Sequence, residues 1–288
     1  MEHKKIVTML VIGIMIAAAA AASVGIFSDQ GQGVYVYESI RGEDVAIYGC
    51  GLYKHMSAEV AIQGIAQDYV TLLLGVPLLG LGLYYARRNS LRGRLFLAGV
   101  LGYFLVTYLF YLVMGMYNVL FLVYAALLGM SFFALSLTLL GFNQEMLKEA
   151  LQERAPAGFA GGFLMFNAFA IGFMWLSGIL PPLLDGTIYP DNLDHYTTMI
   201  VQGLDLGLLL PLSAVSGLLL FRRKQMGYLM GPVYLVFLTF LMTALVAKIA
   251  AMGMAGVNIM PAVIIIPATT VVTIVCAFLL VRSVDEPR

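Results

Sequence analysis

The chain has 288 residues, 61% of them hydrophobic and 11% charged, with 16 basic and 16 acidic side chains and a mean hydropathy of +0.92. Soluble domains carry about 25% charged residues and about 45–50% apolar ones, so this composition excludes a water-soluble globule and makes lipid the main solvent. Two cysteines exclude a disulfide framework, no histidine cluster or H-E-x-x-H marks a metal centre, no cofactor is expected, and no basic–aromatic interleaving points to nucleic acid.

A helix needs about 20 mostly apolar residues to cross the hydrocarbon core. Eight segments meet that length: 6–27, 58–86, 95–116, 118–141, 159–183, 197–221, 226–251 and 258–281. The first follows Met1–Lys5 and runs into Ala17–Ala22, a pattern shared with secretory signals. The length of its apolar run and the eight-span count favour an uncleaved anchor.

Between the first two spans lies 28–57. Val34–Ile40 alternates with period two, Arg41–Asp44 (RGED) is turn-like and Val45–Tyr48 resumes the alternation, predicting a small β-hairpin. Tyr35, Tyr37, Tyr48 and Tyr53 there suit a membrane interface.

The second span carries Asp68 about 15 Å from its start, with Gly64, Thr71 and Gly75 on the same stripe and Gln63 and Gln67 beside it. Small and polar stripes pack against other helices rather than lipid. The third span aligns Tyr103, Thr107, Tyr111 and Asn118, a face suited to lining a polar cavity or to interhelical packing. Next, 143–158 holds Glu145, Lys148, Glu149, Glu153 and Arg154 and closes on Pro156 and Gly158, predicting a short surface helix and a hinge-like linker.

The fifth span contributes Asn167 and Trp175. The sixth carries Asp205 about 12 Å from its start, with Gln202, Ser213 and Ser216 on one face. The seventh carries Lys248 near its far end, where it either snorkels to the interface or meets Asp205. Cys50 and Cys276 are expected on opposite sides of the bilayer.

With alternating spans, 13 of the 16 basic residues fall on one side, Lys4, Lys5, Arg87, Arg88, Arg92, Arg94, Lys148, Arg154, Arg222, Arg223, Lys224, Arg282 and Arg288. Only Arg41 and Lys54 fall on the other. The positive-inside rule therefore places both termini in the cytoplasm, in a cell (inner) membrane. The opposite face is acidic, with Asp29, Glu38, Glu43, Asp44, Glu59, Asp185, Asp191 and Asp194.

Spans two and six share an ordered set: Gln63-Gly64, Asp68, Pro77 and Arg87-Arg88 against Gln202-Gly203, Asp205, Pro211 and Arg222-Arg223. The expected architecture is an all-α membrane protein of two parallel four-helix repeats, 1–142 and 159–288, joined by 143–158. Parallel repeats occur in transporters, whose sites lie between the halves.

Charge inside a membrane span is costly and points to function. Asp68, Asp205 and Lys248, with Gln63, Gln67, Gln202, Tyr103, Tyr111 and Asn167 around them, are the candidates for a substrate or proton site. The first reading is a small-solute transporter or permease coupled to protons, with the lipid bilayer and a small molecule or ion as partners. The second is a non-catalytic scaffold or sensor using the hairpin. The third is an intramembrane enzyme with an aspartate pair; the Tyr-Asp and Gly-x-Gly-Asp contexts of intramembrane aspartyl proteases are absent, so a non-enzyme is favoured.

Overall fold

The computed structural model describes residues 4–151, 155–190 and 193–286. His3, Glu153, Arg154, Asp191 and Arg288 lie outside the described residues.

Eight helices are long and apolar enough to cross a membrane, and their bounds fall within a few residues of the expected spans. They are α1 (Lys4–Phe27), α2 (Ala58–Arg87), α3 (Leu91–Val113), α4 (Phe121–Leu140), α6 (Ala157–Asp185), α7 (Ile200–Phe221), α8 (Gln225–Met254) and α9 (Ala262–Arg282). The fold is that of a multi-pass helical membrane protein. One end of the bundle carries the β-hairpin and the other carries most of the arginines and lysines; these are the hairpin end and the basic end.

The hairpin forms as the alternation predicts. Strand β1 (Tyr35–Glu38) pairs antiparallel with β2 (Asp44–Ile47), Tyr35 opposite Ile47 and Glu38 opposite Asp44. Its turn closes through Ser39 N–H to Glu43 O at 2.8 Å, with Gly42 at φ 80° supplying the left-handed residue.

A ninth helix, α5 (Gln144–Leu151), occupies the linker. It does not behave as a free hinge: Leu147 and Leu151 are fully buried and the helix packs against α8. The eight-residue helix puts these leucines one turn apart on one face, so burying them fixes the connection.

The core is built on α3 and α8, which cross the bundle centre and pack on each other. α2 and α4 pack on α3, α1 packs on α2 and α4, and α7 and α9 flank α8. α6 packs mainly on α7, where Gly161 and Gly217 allow the two backbones to approach closely. Its other face exposes Phe166, Phe169 and Phe173, a stripe suited to lipid.

Both α2 and α7 are interrupted by a single π-helical turn, Thr71–Gly75 and Asp205–Leu209. Val76 N–H closes the first onto Thr71 O, and Leu210 N–H closes the second onto Asp205 O. Pro77 and Pro211 follow at once; lacking an N–H, each leaves a carbonyl one turn back without its α-helical donor. Other features stand at the same separation of 134 positions (205 minus 71). Asn89 and Arg223 both take positive φ, α3 starts at Leu91 and α8 at Gln225, and Gly93 and Gly227 each press on the preceding helix, at Tyr85–Ala86 and Leu219–Leu220. At this separation Asp205 is level with Thr71, not with Asp68.

Candidate functional site

Asp68 is the more enclosed of the two candidate carboxylates, 2% exposed. Tyr53 donates its hydroxyl to Oδ2 at 2.5 Å and Tyr111 donates to Oδ1 at 3.0 Å, so each carboxylate oxygen has a donor. Tyr111 stands 3.1 Å from the Gly64 carbonyl as well, which fixes its ring against α2. Gly25 of α1 lies directly against the carboxylate, where any larger residue would overlap Oδ2.

These neighbours set the depth of the site. Gly25 is two residues from the end of α1 and Tyr111 two residues from the end of α3. Asp68 therefore lies near the hairpin end of the bundle, although it is ten residues into its own helix. The 30 residues of α2 span about 45 Å against a hydrocarbon core of about 30 Å, so its first turns rise beyond the neighbouring helices.

Taking a carboxylate into a membrane interior costs about 2.5–3.5 kcal/mol on insertion scales. A hydrogen bond to a charged group contributes about 1.5–3 kcal/mol. Two tyrosine donors thus lower the cost of burying Asp68. Tyr53 belongs to the short turn Gly51–Tyr53, and burial followed by the nearby Asp68 charge holds its phenol well above the usual range, so it stays a donor.

One turn further, Gln67 donates through Nε2 to Tyr103 Oη at 2.8 Å and to Thr107 Oγ1 at 3.3 Å, and the Tyr103 and Thr71 hydroxyls meet at 2.9 Å. Gln67, Thr71 and Thr107 are buried and Tyr103 is fully so. The polar face expected on α3 thus closes onto the polar stripe of α2. It is a sealed network rather than the wall of a cavity. Asn118, expected on that face, instead accepts from Leu120 N–H and starts α4.

Asp205 is half-buried on α7 and receives Trp175 Nε1–H on Oδ2 at 2.8 Å. Its helix turns its polar face toward α6, since Ser213 donates to the Leu164 carbonyl at 3.1 Å. The two aspartates therefore take their hydrogen bonds from separate sets of donors. Lys248 links them through space: it lies on α8 within electrostatic range of both Asp205 and Asp68, with no hydrogen bond of its ammonium found among the described residues. It stands six residues, about 9 Å, from the end of α8.

Of the other candidates, Gln63 and Gln202 are half-buried, and Asn167 is buried on α6. Asn167 is eight residues from Trp175, about 12 Å along the axis, too far to share its carboxylate. Sequence reasoning placed Tyr53 at the membrane interface and missed its bond to Asp68; spacing carries no signal for a contact made by a loop.

At the hairpin end the α1–α2 segment meets the α6–α7 segment. Arg41 in the hairpin turn donates to the carbonyls of Asp194 and Tyr196 and sits over the Tyr189 ring at 5.6 Å. His195 Nε2–H meets the His55 carbonyl at 3.0 Å, and Ser57 N–H donates to the Tyr196 hydroxyl at 3.3 Å. The α1–α2 segment is thereby clasped to the α6–α7 segment. Beside this clasp opens a cavity of about 690 Å³ lined by Ser28, Gln30, Lys54, His55 and Asn118 among apolar residues. Among the described residues no group of three or more His, Cys, Asp or Glu side chains is arranged to hold a metal ion.

Fold and composition together define the class, a multi-pass α-helical membrane protein. Comparison with protein-family models, with curated proteins and with solved structures finds no match.

Proposed function

We propose that this chain is a small-solute carrier coupled to protons, built as two parallel halves, 1–142 and 159–288, with its hairpin end facing outward from a cell (inner) membrane. Support for two halves comes from the π turns, prolines, positive-φ residues and close-packed glycines that stand 134 positions apart. The basic residues gathered at the opposite end support the orientation. The clasp at the hairpin end fits a carrier whose outward side is closed.

The observation that carries the reading is the placement of Lys248 in the field of two carboxylates, Asp68 from the first half and Asp205 from the second. Two anions and one cation leave a site that attracts a proton or small cation, and charge held this way inside a span is characteristic of proton relays. A movement of either half changes the lysine's distance to one carboxylate and hence the affinity of the set for a proton.

The test is solute-induced proton entry in dye-loaded proteoliposomes across a panel of amino acids, sugars and organic cations. A solute that acidifies vesicles of the parent is expected to do so at least about tenfold more slowly with Asp68→Asn or Asp205→Asn, the effect of about 1.4 kcal/mol. Proton entry at the parent rate in both variants overturns the coupling.

A sensor that binds solute without moving it is the second reading, favoured by the cavity beside the clasp. It predicts solute binding without flux. An enzyme with a shared-proton aspartate pair has less support, because Tyr53 and Tyr111 serve one carboxylate and Trp175 the other.

A further inference from the structure

The basic half of the bundle contains a second feature, separate from the aspartates. A crevice of about 480 Å³ opens between α4 on one wall and α7 on the other, with α3 and α8 as its floor. Leu135, Leu139, Leu105, Leu212, Leu229 and Phe237 exemplify its lining, which is apolar apart from Ser216 and Tyr234. From Leu105 to Arg94 along α3 is eleven residues, about 16 Å, close to half of a hydrocarbon core about 30 Å thick. The crevice thus runs from the middle of the bundle to the basic end, the depth of one leaflet.

Its basic mouth is cationic. Arg94 donates through Nη2 to the Gly141 carbonyl and lies 4.3 Å over the ring of Phe142, itself a lining residue. Among the described residues only Nη2 of its terminal nitrogens is bonded to protein, and its Nε has no partner. Arg222 and Lys224 are exposed in the loop that leads into Met226, also on the lining. The nearby carboxylate of Glu286 is engaged elsewhere, accepting from Ser90 Oγ and from the N–H groups of Leu91 and Arg92 at the start of α3. Inside the crevice, the Ser216 hydroxyl is fully buried and unpartnered.

We infer that this crevice is a binding site for one anionic phospholipid, with an acyl chain between α4 and α7 and its phosphate at Arg94. Apolar depth matched to a single leaflet calls for an acyl chain. A guanidinium with unspent donors at the mouth calls for a phosphate, which it binds in a fork geometry that a zwitterionic headgroup's extra ammonium opposes. Basic pockets between membrane helices at a cytoplasmic face recognise anionic headgroups by the same physics. The lipid also touches the π turn at Leu209, whose carbonyl accepts from Tyr234 Oη at 2.8 Å, so its presence steadies the helix that bears Asp205. The site stands whether or not the chain transports.

Native mass spectrometry of the full-length chain, equilibrated with equal amounts of phosphatidylglycerol and phosphatidylcholine carrying identical acyl chains, tests this. The parent is expected to retain one phosphatidylglycerol with about a tenfold preference over phosphatidylcholine. Leu212→Trp, which fills the crevice, is expected to lose the retained lipid of either kind. Arg94→Gln is expected to keep a lipid and lose the preference. Leu135→Trp blocks the crevice from the opposite wall and gives the same readout should Leu212→Trp fail to fold. Equal retention of the two lipids by the parent, or parent-like retention in the folded blocking variants, overturns the site.

Discussion

Asp68 shows how a single charge is made tolerable near the membrane. Its two oxygens are matched to two phenols, Gly25 leaves the room for them, and the aromatic rings of Tyr53 and Tyr111 pack edge to face with centroids 6.4 Å apart. Removing one hydroxyl strands one lone pair of a buried carboxylate, a loss of about 1–3 kcal/mol. Tyr53→Phe is therefore expected to lower the thermal midpoint of the purified protein, and Tyr53→Phe in an Asp68→Asn background to lower it less, since the amide needs no charge-stabilising donor. Equal losses in the two backgrounds, followed by scanning fluorimetry, contradict the pairing. Asp68, Asp205 and Lys248 stand out in the sequence because charge inside an apolar run is costly and rare. Their partners were legible only in part. Tyr111 shares a helical face with Tyr103 and Thr107, whereas Tyr53 reaches Asp68 only because α2 rises past the ends of α1 and α3.

At the scale of elements, hydropathy located every span to within a few residues, because length and apolarity are properties of contiguous sequence. Alternation located the hairpin for the same reason. The π turns had no such signal: prolines are ordinary in membrane helices, and only the backbone distinguishes an added residue from a kink. The linker was misread as a hinge because eight residues with several charges look solvated, while the placement of Leu147 and Leu151 on α8 depends on the fold. The hairpin packing of α7 on α8 depends on Gly227, where a Cβ would strike the backbone of Leu219 and Leu220. Gly162, in the interior of α6, has open space around it. Gly227→Ala is expected to destabilise the protein, and Gly162→Ala to stabilise it by about 0.5–1 kcal/mol through helix propensity. Denaturation in mixed micelles distinguishes them; a destabilising Gly162→Ala or a neutral Gly227→Ala contradicts this packing.

For the molecule as a whole, contacts between segments distant in sequence close both ends of the bundle. At the hairpin end Arg41, His195 and Tyr196 join the α1–α2 and α6–α7 segments; at the basic end Glu286 caps α3 and Asp285 N–H donates to the Ala150 carbonyl at 3.0 Å. In sequence, α2 and α7 share Pro77 with Pro211 and Arg87-Arg88 with Arg222-Arg223, and the two π turns stand at the same separation as the prolines. The apparent match of Asp68 with Asp205 is offset by about one turn, since Asp205 is level with Thr71. The proposed orientation gives a topology test. A membrane-impermeant maleimide added to whole cells is expected to label half-buried Cys50 and leave buried Cys276 unlabelled, with faster labelling of Cys50 in Arg41→Ala as the hairpin-end contacts loosen. Labelling of Cys50 only after the cells are opened reverses the orientation.

The sole tryptophan, Trp175, is hydrogen-bonded to Asp205 and so reports on the charge of that carboxylate. The most direct measurement is its fluorescence as a function of pH in lipid nanodiscs, for the parent, Asp205→Asn, Lys248→Gln and Asp68→Asn. One transition is expected in the parent, its loss in Asp205→Asn, and a displaced midpoint in both Lys248→Gln and Asp68→Asn. Curves for Lys248→Gln and Asp68→Asn that superimpose on the parent would show that the three charges act separately and would contradict the coupling on which the proposed function rests.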